Sequence, residues 1–303
     1  QKPGRYYLRL VDNEQHYGPD YAYRFHAGLY QPEFDLRIDP SSISIPQGSS
    51  AVLKISAIRK LNFNGDIAID IHGLPQGYRV SGDKIRQGED FLRLTVTAPS
   101  DAKQGPLDLS ITGTATAGDR KVTVTAMPAE EMMQAFYYTH LVPTNDFKVN
   151  VSEPLPINIT PMVDLDKPVT FARNATTPLK VHIERREGFD EPVQITLTGG
   201  APFFKMKPVT VEAGQTEAEL EIECADRFGL PKDRTQPLIF IAQAKPQQAQ
   251  NIMGKLSQKV QNASMTAYLP AITALIPAAS QQEQDQLRGN REQFKADKQN
   301  KSK

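Results

Sequence analysis

Leu53-Lys54-Ile55-Ser56-Ala57-Ile58-Arg59 and Leu179-Lys180-Val181-His182-Ile183-Glu184-Arg185 are two versions of one segment, and their likeness decides the fold. In each, apolar residues fall on alternate positions: Leu53, Ile55 and Ala57 in the first, Leu179, Val181 and Ile183 in the second. That period of two places them on one face of a strand, against a core. Working outward without gaps, Ile43–Ala98 lies over Val169–Cys224, an offset of 126 residues. Phe63/Phe189, Ile69/Ile195, Gly73/Gly199, Gly88/Gly214 and Leu94/Leu220 are further identical pairs. Ile43/Val169, Ile67/Val193, Ile71/Leu197, Ile85/Val211 and Val96/Ile222 stay apolar in both copies. A module repeated in this way implies an architecture built by stacking and says little about chemistry.

Each copy reads as a β-sandwich. In the first, Phe34, Leu36 and Ile38 alternate, and Pro46-Gln47-Gly48 and Asn64-Gly65 supply turns. Phe91–Val96, Leu107–Ile111 and Val122–Ala126 follow as short strands separated by turn residues, the spacing of an all-β sandwich. The second copy needs a five-residue insertion near Arg227–Pro231 to keep register, which marks a surface loop. Thr266–Leu269 is its final strand, with Ile272–Ile276 docking behind. Between the copies, Pro128–Phe136 holds good helix formers and suggests one or two helical turns. Phe147–Val151 is either the last strand of the first module or a bridge to the second.

The ends differ from this pattern. Arg5–Leu10 and Tyr21–Phe25 alternate, with the polar turn Asp12-Asn13-Glu14 between them. Two such strands bury too little to stand alone. Either they pack on the next module or they complete a sandwich whose earlier strands lie elsewhere. From Ala279 the chain is rich in Gln, Glu, Asp and Lys, which predicts a tail unable to bury enough surface to fold. The boundaries are therefore 1–33, a short N-terminal β segment; 34–153 and 154–278, two sandwiches; and 279–303, a charged disordered tail. The chain opens on Gln1 and shows no charged-then-apolar leader, so it reads as a processed product or a fragment.

Composition narrows the function. Lys+Arg and Asp+Glu are both 35, a zero net charge that argues against a nucleic-acid binder. No run of 18 apolar residues occurs, so no apolar helix is expected to span a membrane. The single Cys224 aligns with Ala98 and reads as a small core residue. His16, His26, His72, His140 and His182 show no metal-ligand spacing, and no Gly-x-Ser-x-Gly elbow or phosphate-binding loop is present. No catalytic residue and no cofactor are expected. Asp12, Asn13, Glu14 and Asp20 form a weak calcium candidate that lacks the spacing of an EF-hand. Tyr6, Tyr7, Tyr21 and Tyr23 form a candidate ligand or partner surface; they either stack on sugars or a partner, or cover a neighbouring domain.

The motifs Gly4–Leu10 and Pro19–Phe25 resemble the closing strands of a bacterial pre-peptidase C-terminal (PPC) domain. Arg59, Phe63, Gly65, Ile67, Ile69, Gly73, Leu74 and Pro75 resemble the immunoglobulin-like modules that follow such domains in large secreted proteins of planctomycete-type bacteria. The second copy keeps Arg185, Gly188, Phe189 and Gly199 and departs at Gly200-Ala201-Pro202. Met132–Phe136 and His140–Pro143 resemble a linker of those proteins. The resemblance implies an all-β chain of tandem immunoglobulin-like β-sandwiches without an active site, secreted, periplasmic or at the cell surface. Its partners would be upstream domains of the same polypeptide or another secreted or surface protein. The leading function is then a noncatalytic structural and interaction module, a spacer and docking surface. The alternative is a carbohydrate-binding accessory region of an upstream secreted hydrolase, resting on the early tyrosines. An enzyme would require residues from distant loops to converge.

Overall fold

The computed structural model describes residues 4–5, 7–9, 11–12, 14, 16–22, 33–133, 138–225, 233–244 and 265–285. The chain divides into two units, 1–31 and 32–303. The described residues of the first unit carry no strand, so the expected β pairing of Arg5–Leu10 is absent among them. Most of Tyr21–Phe25 lies outside the described residues.

The second unit contains two buried apolar clusters, one running from Phe34 to Val151 and the other from Ile157 to Ile276. The first module places β1 (Glu33–Asp39), β3 (Ser50–Lys60), β7 (Phe91–Thr97) and β5 (Arg79–Ser81) side by side. Facing them is β10 (Arg120–Thr125), β9 (Ser110–Ala117), β4 (Ile67–His72) and β6 (Lys84–Ile85). A short ladder, β2 (Ser42–Pro46), β13 (Lys148–Ser152) and β8 (Gly105–Leu107), closes one side, with β2 and β13 parallel. Leu53 and Ile55 on β3 and Leu94 on β7 meet Ile67 and Ile111 of the other sheet in a fully buried core.

The second module repeats this arrangement. β14 (Ile157–Pro161), β16 (Ala175–Arg185), β20 (Glu217–Cys224) and β18 (Phe204–Met206) form its first sheet. β22 (Met265–Tyr268), β21 (Arg234–Ala244), β17 (Val193–Gly199) and β19 (Val209–Val211) form the second. β15 (Val169–Thr170) and β23 (Ile272–Ile276) pair in parallel, as β2 and β13 do. Leu53 and Leu179 thus occupy the same topological slot, on the strand second from the edge. Both modules are immunoglobulin-like β-sandwiches. Cys224 is buried at the position of Ala98.

The offset of 126 extends to individual hydrogen bonds: the acceptors Gly65 and Arg86 correspond to Glu191 and Glu212, while the third acceptor differs. Arg59 donates to the carbonyls of Gly65 (2.7 Å), Arg86 (2.8 Å) and Glu89, with its guanidinium over the Phe63 ring. Arg185 donates to Glu191 (2.6 Å), Val211 and Glu212 (3.1 Å), over Phe189. Gly48 and Asn174 share a left-handed backbone, as do Gly88 and Gly214. An arginine fork satisfying loop carbonyls ties the turn after β3 or β16 to the loop before β7 or β20. Identity at these positions is structural.

Two elements differ from expectation, and one open alternative is decided. The described part of Pro128–Phe136 is no helix: β11 (Met127–Met133) pairs in parallel with β1 and antiparallel with β12 (Thr139–Pro143). Helix propensity there yields to the open edge of β1, where Glu130 accepts from Ser41, Glu131 pairs with Lys54 (2.8 Å), and the Glu131 N–H reaches Asp39. Phe147–Val151 belongs to the first module as β13. Ile272–Ile276 is a full strand, because the N-terminal half of β21 offers it an edge.

The tail, which its composition leaves disordered or loosely helical, begins as a helix, residues 281–285. Ser280-Gln281-Gln282-Glu283 is a capping box: the Ser280 hydroxyl accepts from the Glu283 N–H, and the Glu283 carboxylate accepts from the Ser280 N–H (2.8 Å). That bond from the Ser280 backbone holds the Glu283 carboxyl below its ordinary value. Residues 286–303 lie outside the described residues, as does the insertion near Arg227–Pro231.

Arg59→Ala removes the fork and its charge-assisted bonds to three carbonyls, of which that of Arg86 keeps the Glu89 N–H, so it lowers stability by about 2–3 kcal/mol. Arg59→Lys recovers less than half, since one ammonium cannot reach all three. Urea unfolding of the two variants beside the parent chain measures both effects.

Candidate functional site

Among the described residues of the first unit, Tyr7 and Tyr21 stand out to solvent, with Tyr17. Tyr21 stacks on His16, with ring centroids 5.2 Å apart. Tyr6, Tyr23 and Asn13 lie outside the described residues, so the four-tyrosine surface and the calcium turn are each seen in part. In that turn, Asp12 Oδ2 accepts from the Glu14 N–H (3.2 Å), the His16 N–H (2.9 Å) and the His16 ring (3.1 Å). The carboxylate thus closes its own turn. Among the described residues, no group of three His, Cys, Asp or Glu side chains could hold a metal ion. His72 sits outward and meets the Thr112 hydroxyl (2.9 Å), the expected orientation of that strand. Asp66 accepts from the Gln87 N–H, and so fastens a loop.

Two features outside these candidates stand out. The first is the β11–β12 hairpin, which interrupts the repeat. In the second module only Leu269-Pro270-Ala271 joins β22 to β23, whereas Ala126–Phe147 joins β10 to β13 in the first. The hairpin and its flank expose Met127, Met132, Met133, Tyr138 and Val142, with Met133 at 72% and Tyr138 at 68%. Those are five of the ten large hydrophobic side chains most exposed among the described residues of the second unit. β12 pairs only with β11 among the described residues, so its outer edge carries unpaired backbone groups.

The second feature is the junction of the modules. One backbone bridge joins them, Tyr268 to Ser50, beside a bond from the Ser49 hydroxyl to the Tyr268 carbonyl. The other ties are polar. Arg234 pairs with Glu89, Arg86 donates to the Thr235 hydroxyl (2.9 Å), Arg93 to the Thr198 carbonyl (3.1 Å), and Arg79 to Asp166 (2.6 Å). Beside Asp166, a hydrogen bond from Lys167 and one from the Asp166 N–H hold the Asp164 carboxyl below its usual range. Burial pushes the Tyr78 phenol up. Arg86, Asp166 and Thr235 border a cleft of about 570 Å³ between the modules, and Tyr78, Arg79 and Asp166 a second of about 400 Å³; Val80, Asp166 and Thr273 line both.

No protein-family model matches the sequence, and no curated protein matches it either. Solved structures similar to the chain include the D0-D1 domain of intimin, at 12% identity and a TM-score of 0.23, covering 79% of this chain and 97% of that one. Domains 5-6 of the S-layer protein SbsC align at 13% identity and a TM-score of 0.26, covering 82% of this chain and 100% of that one. Tandem Ig domains of titin align at 12% and 0.20, covering 82% and 96%.

Neither feature was legible beforehand. The hairpin leaves a trace as uneven spacing between equivalent strands, but only once β10 and β22 are known to share a slot. The junction pairs residues 87 to 219 positions apart, and no local pattern marks them.

The two cross-module ion pairs differ in environment. Arg234 and Glu89 are about three-quarters covered, at 26% and 27% exposure, whereas Arg79 and Asp166 stand at 41% and 79%. Arg234→Ala leaves a covered carboxylate and costs about 1–3 kcal/mol, while Arg79→Ala costs less than about 1 kcal/mol. Denaturation midpoints at low and high salt rank the two.

Proposed function

We propose that the chain is a noncatalytic structural and interaction module of a secreted, periplasmic or cell-surface protein, a spacer that also docks other proteins. On this reading residues 1–33 belong to a PPC-like upstream domain, 34–153 and 154–278 are the stacked sandwiches, and 279–303 is a charged tail. Its partners are upstream domains of the same polypeptide or another surface protein.

One observation carries the reading: among the described residues, the repeat is interrupted by an apolar hairpin with an open edge. A sandwich strand that lacks charged guards on its outer edge invites pairing, and Thr139–Pro143 has none besides His140. Exposed methionines adapt to varied surfaces. The remaining described loops carry ion pairs and turn bonds that hold the fold together.

The full chain and its Met132→Ser/Met133→Ser/Val142→Ser variant, each immobilised and exposed to an envelope extract, test the proposal by quantitative mass spectrometry. Recovery of a specific partner falls at least about tenfold in the variant, while the unfolding midpoint stays put because exposed substitutions cost little. Equal recovery by both chains, or turnover of a hydrolase substrate by the chain alone, overturns it.

A second reading, a carbohydrate-binding accessory region, draws on the exposed rings of Tyr7, Tyr17 and Tyr21. Glycan-array binding that disappears in Tyr7→Ala and Tyr21→Ala supports it; no binding at millimolar sugar removes it.

A further inference from the structure

We infer that the open edge of β12 pairs with the same edge of a second copy of this chain, joining the two in a symmetric dimer. The inference rests on the reading of the hairpin as a docking surface and names its partner.

The donors and acceptors of the edge follow from the hairpin's own ladder. One step beyond the Ala129–Pro143 pair, the Thr144 N–H donates to the Pro128 carbonyl (2.8 Å), so these two residues form a hydrogen-bonded pair. Such pairs alternate along an antiparallel ladder, which makes Val142 with Glu130, and His140 with Met132, the next ones. Thr139, Leu141 and Pro143 therefore aim their backbone groups away from β11. The facing strand agrees, because the Glu131 N–H, opposite Leu141, turns away from β12 to reach Asp39. The free edge thus offers an N–H and a C=O from Thr139 and from Leu141, and a C=O alone from Pro143.

That edge is its own complement. Set antiparallel about a twofold axis at Leu141, it gains two bonds between the paired Leu141 residues and one from each Thr139 N–H to the partner's Pro143. Moving the axis to Val142 sets Leu141 against the partner's Pro143, and the missing N–H halves the bonds. Moving it to His140 brings the two imidazoles face to face and carries Pro143 past the end of the partner strand. In the favoured register Leu141 lies beside the partner's Leu141, and Val142 beside the partner's His140. No Asp, Glu, Lys or Arg stands on β12. Glu130 and Glu131 stay on the strand behind, engaged by Ser41 and Lys54, so no like charges meet. The zero net charge of the chain sets no long-range barrier against a second copy. Edges ordinarily carry charged guards against this pairing, and here Pro143 guards the end alone. The contact is isologous and uses up the edge in each copy, so assembly stops at two.

Sedimentation velocity of the full chain, from about 1 to 500 μM, tests the inference. The parent passes from monomer to dimer with a Kd of about 10–100 μM, weak because five residues a side make a small interface. Leu141→Pro deletes the donors on the axis, while His140 and Val142 keep the hairpin's own ladder. Leu141→Lys sets two ammonium groups side by side at the same place. Each weakens the dimer at least about tenfold with the chain still folded by its unfolding midpoint. In the 15N-labelled parent, exchange of the Thr139 and Leu141 amides slows as concentration rises, whereas that of His140 and Val142 does not. A chain still monomeric at the highest concentration, or a dimer unchanged in both variants, overturns the inference. A monomer that nonetheless captures a different protein from the envelope extract overturns this inference alone and leaves the docking reading standing.

Discussion

A strand with alternate apolar side chains has one face that water must not keep, and a second sheet has to cover it. Leu53, Ile55 and Ala57 on β3, and Leu179, Val181 and Ile183 on β16, impose that requirement twice. Complete burial of a leucine or isoleucine contributes on the order of 1.5–3 kcal/mol, and each cluster contains many. The inward faces therefore select two separate cores, and the hydrogen-bonded ladders follow from how those faces meet. Everything else in the molecule is arranged around this double constraint.

The arginine forks show how a repeated module keeps its shape where the core does not reach. Arg59 and Arg185 leave the ends of their strands and donate to several loop carbonyls at once, fastening two loops to one side chain. The copies diverge where no such device operates. Gly73 sits in a left-handed conformation against the Asp108 carbonyl, leaving no room for a Cβ. At the matching point of the second copy the chain runs through Gly199-Gly200, with a register shift between Leu197 and Gly199. The outward strand breaks at Asp108-Leu109 in the first module, while β21 passes from one ladder to the other unbroken.

For function, the useful contrast is between what the sandwiches bury and what they leave open. The cores use most of the large aliphatic residues, and His72 and Asp66 are occupied with a hydroxyl and a turn amide. What remains is surface that the repeat does not explain: the apolar hairpin on one module and the polar cleft between the two. Of the two, the hairpin suits binding, since it presents unpaired backbone groups and apolar area, whereas the charges along the cleft are balanced. The exposed tyrosines of the N-terminal unit are a third surface, on a segment whose described residues form no ladder.

The amino-acid order alone settled the all-β class, the repeat, the inward residues and the buried place of Cys224, because a period of two and gap-free register are local properties that any strand must obey. It also carried the capping box at Ser280–Glu283, whose spacing is visible, yet the acidic and amide-rich composition around it pointed the other way. The tertiary structure alone decided that Met127–Met133 is a strand, because the edge of β1 outweighs the helix propensity of Glu130 and Met132. It alone brought Glu89 to Arg234, since contacts between modules depend on how two finished surfaces meet and not on any pattern within either.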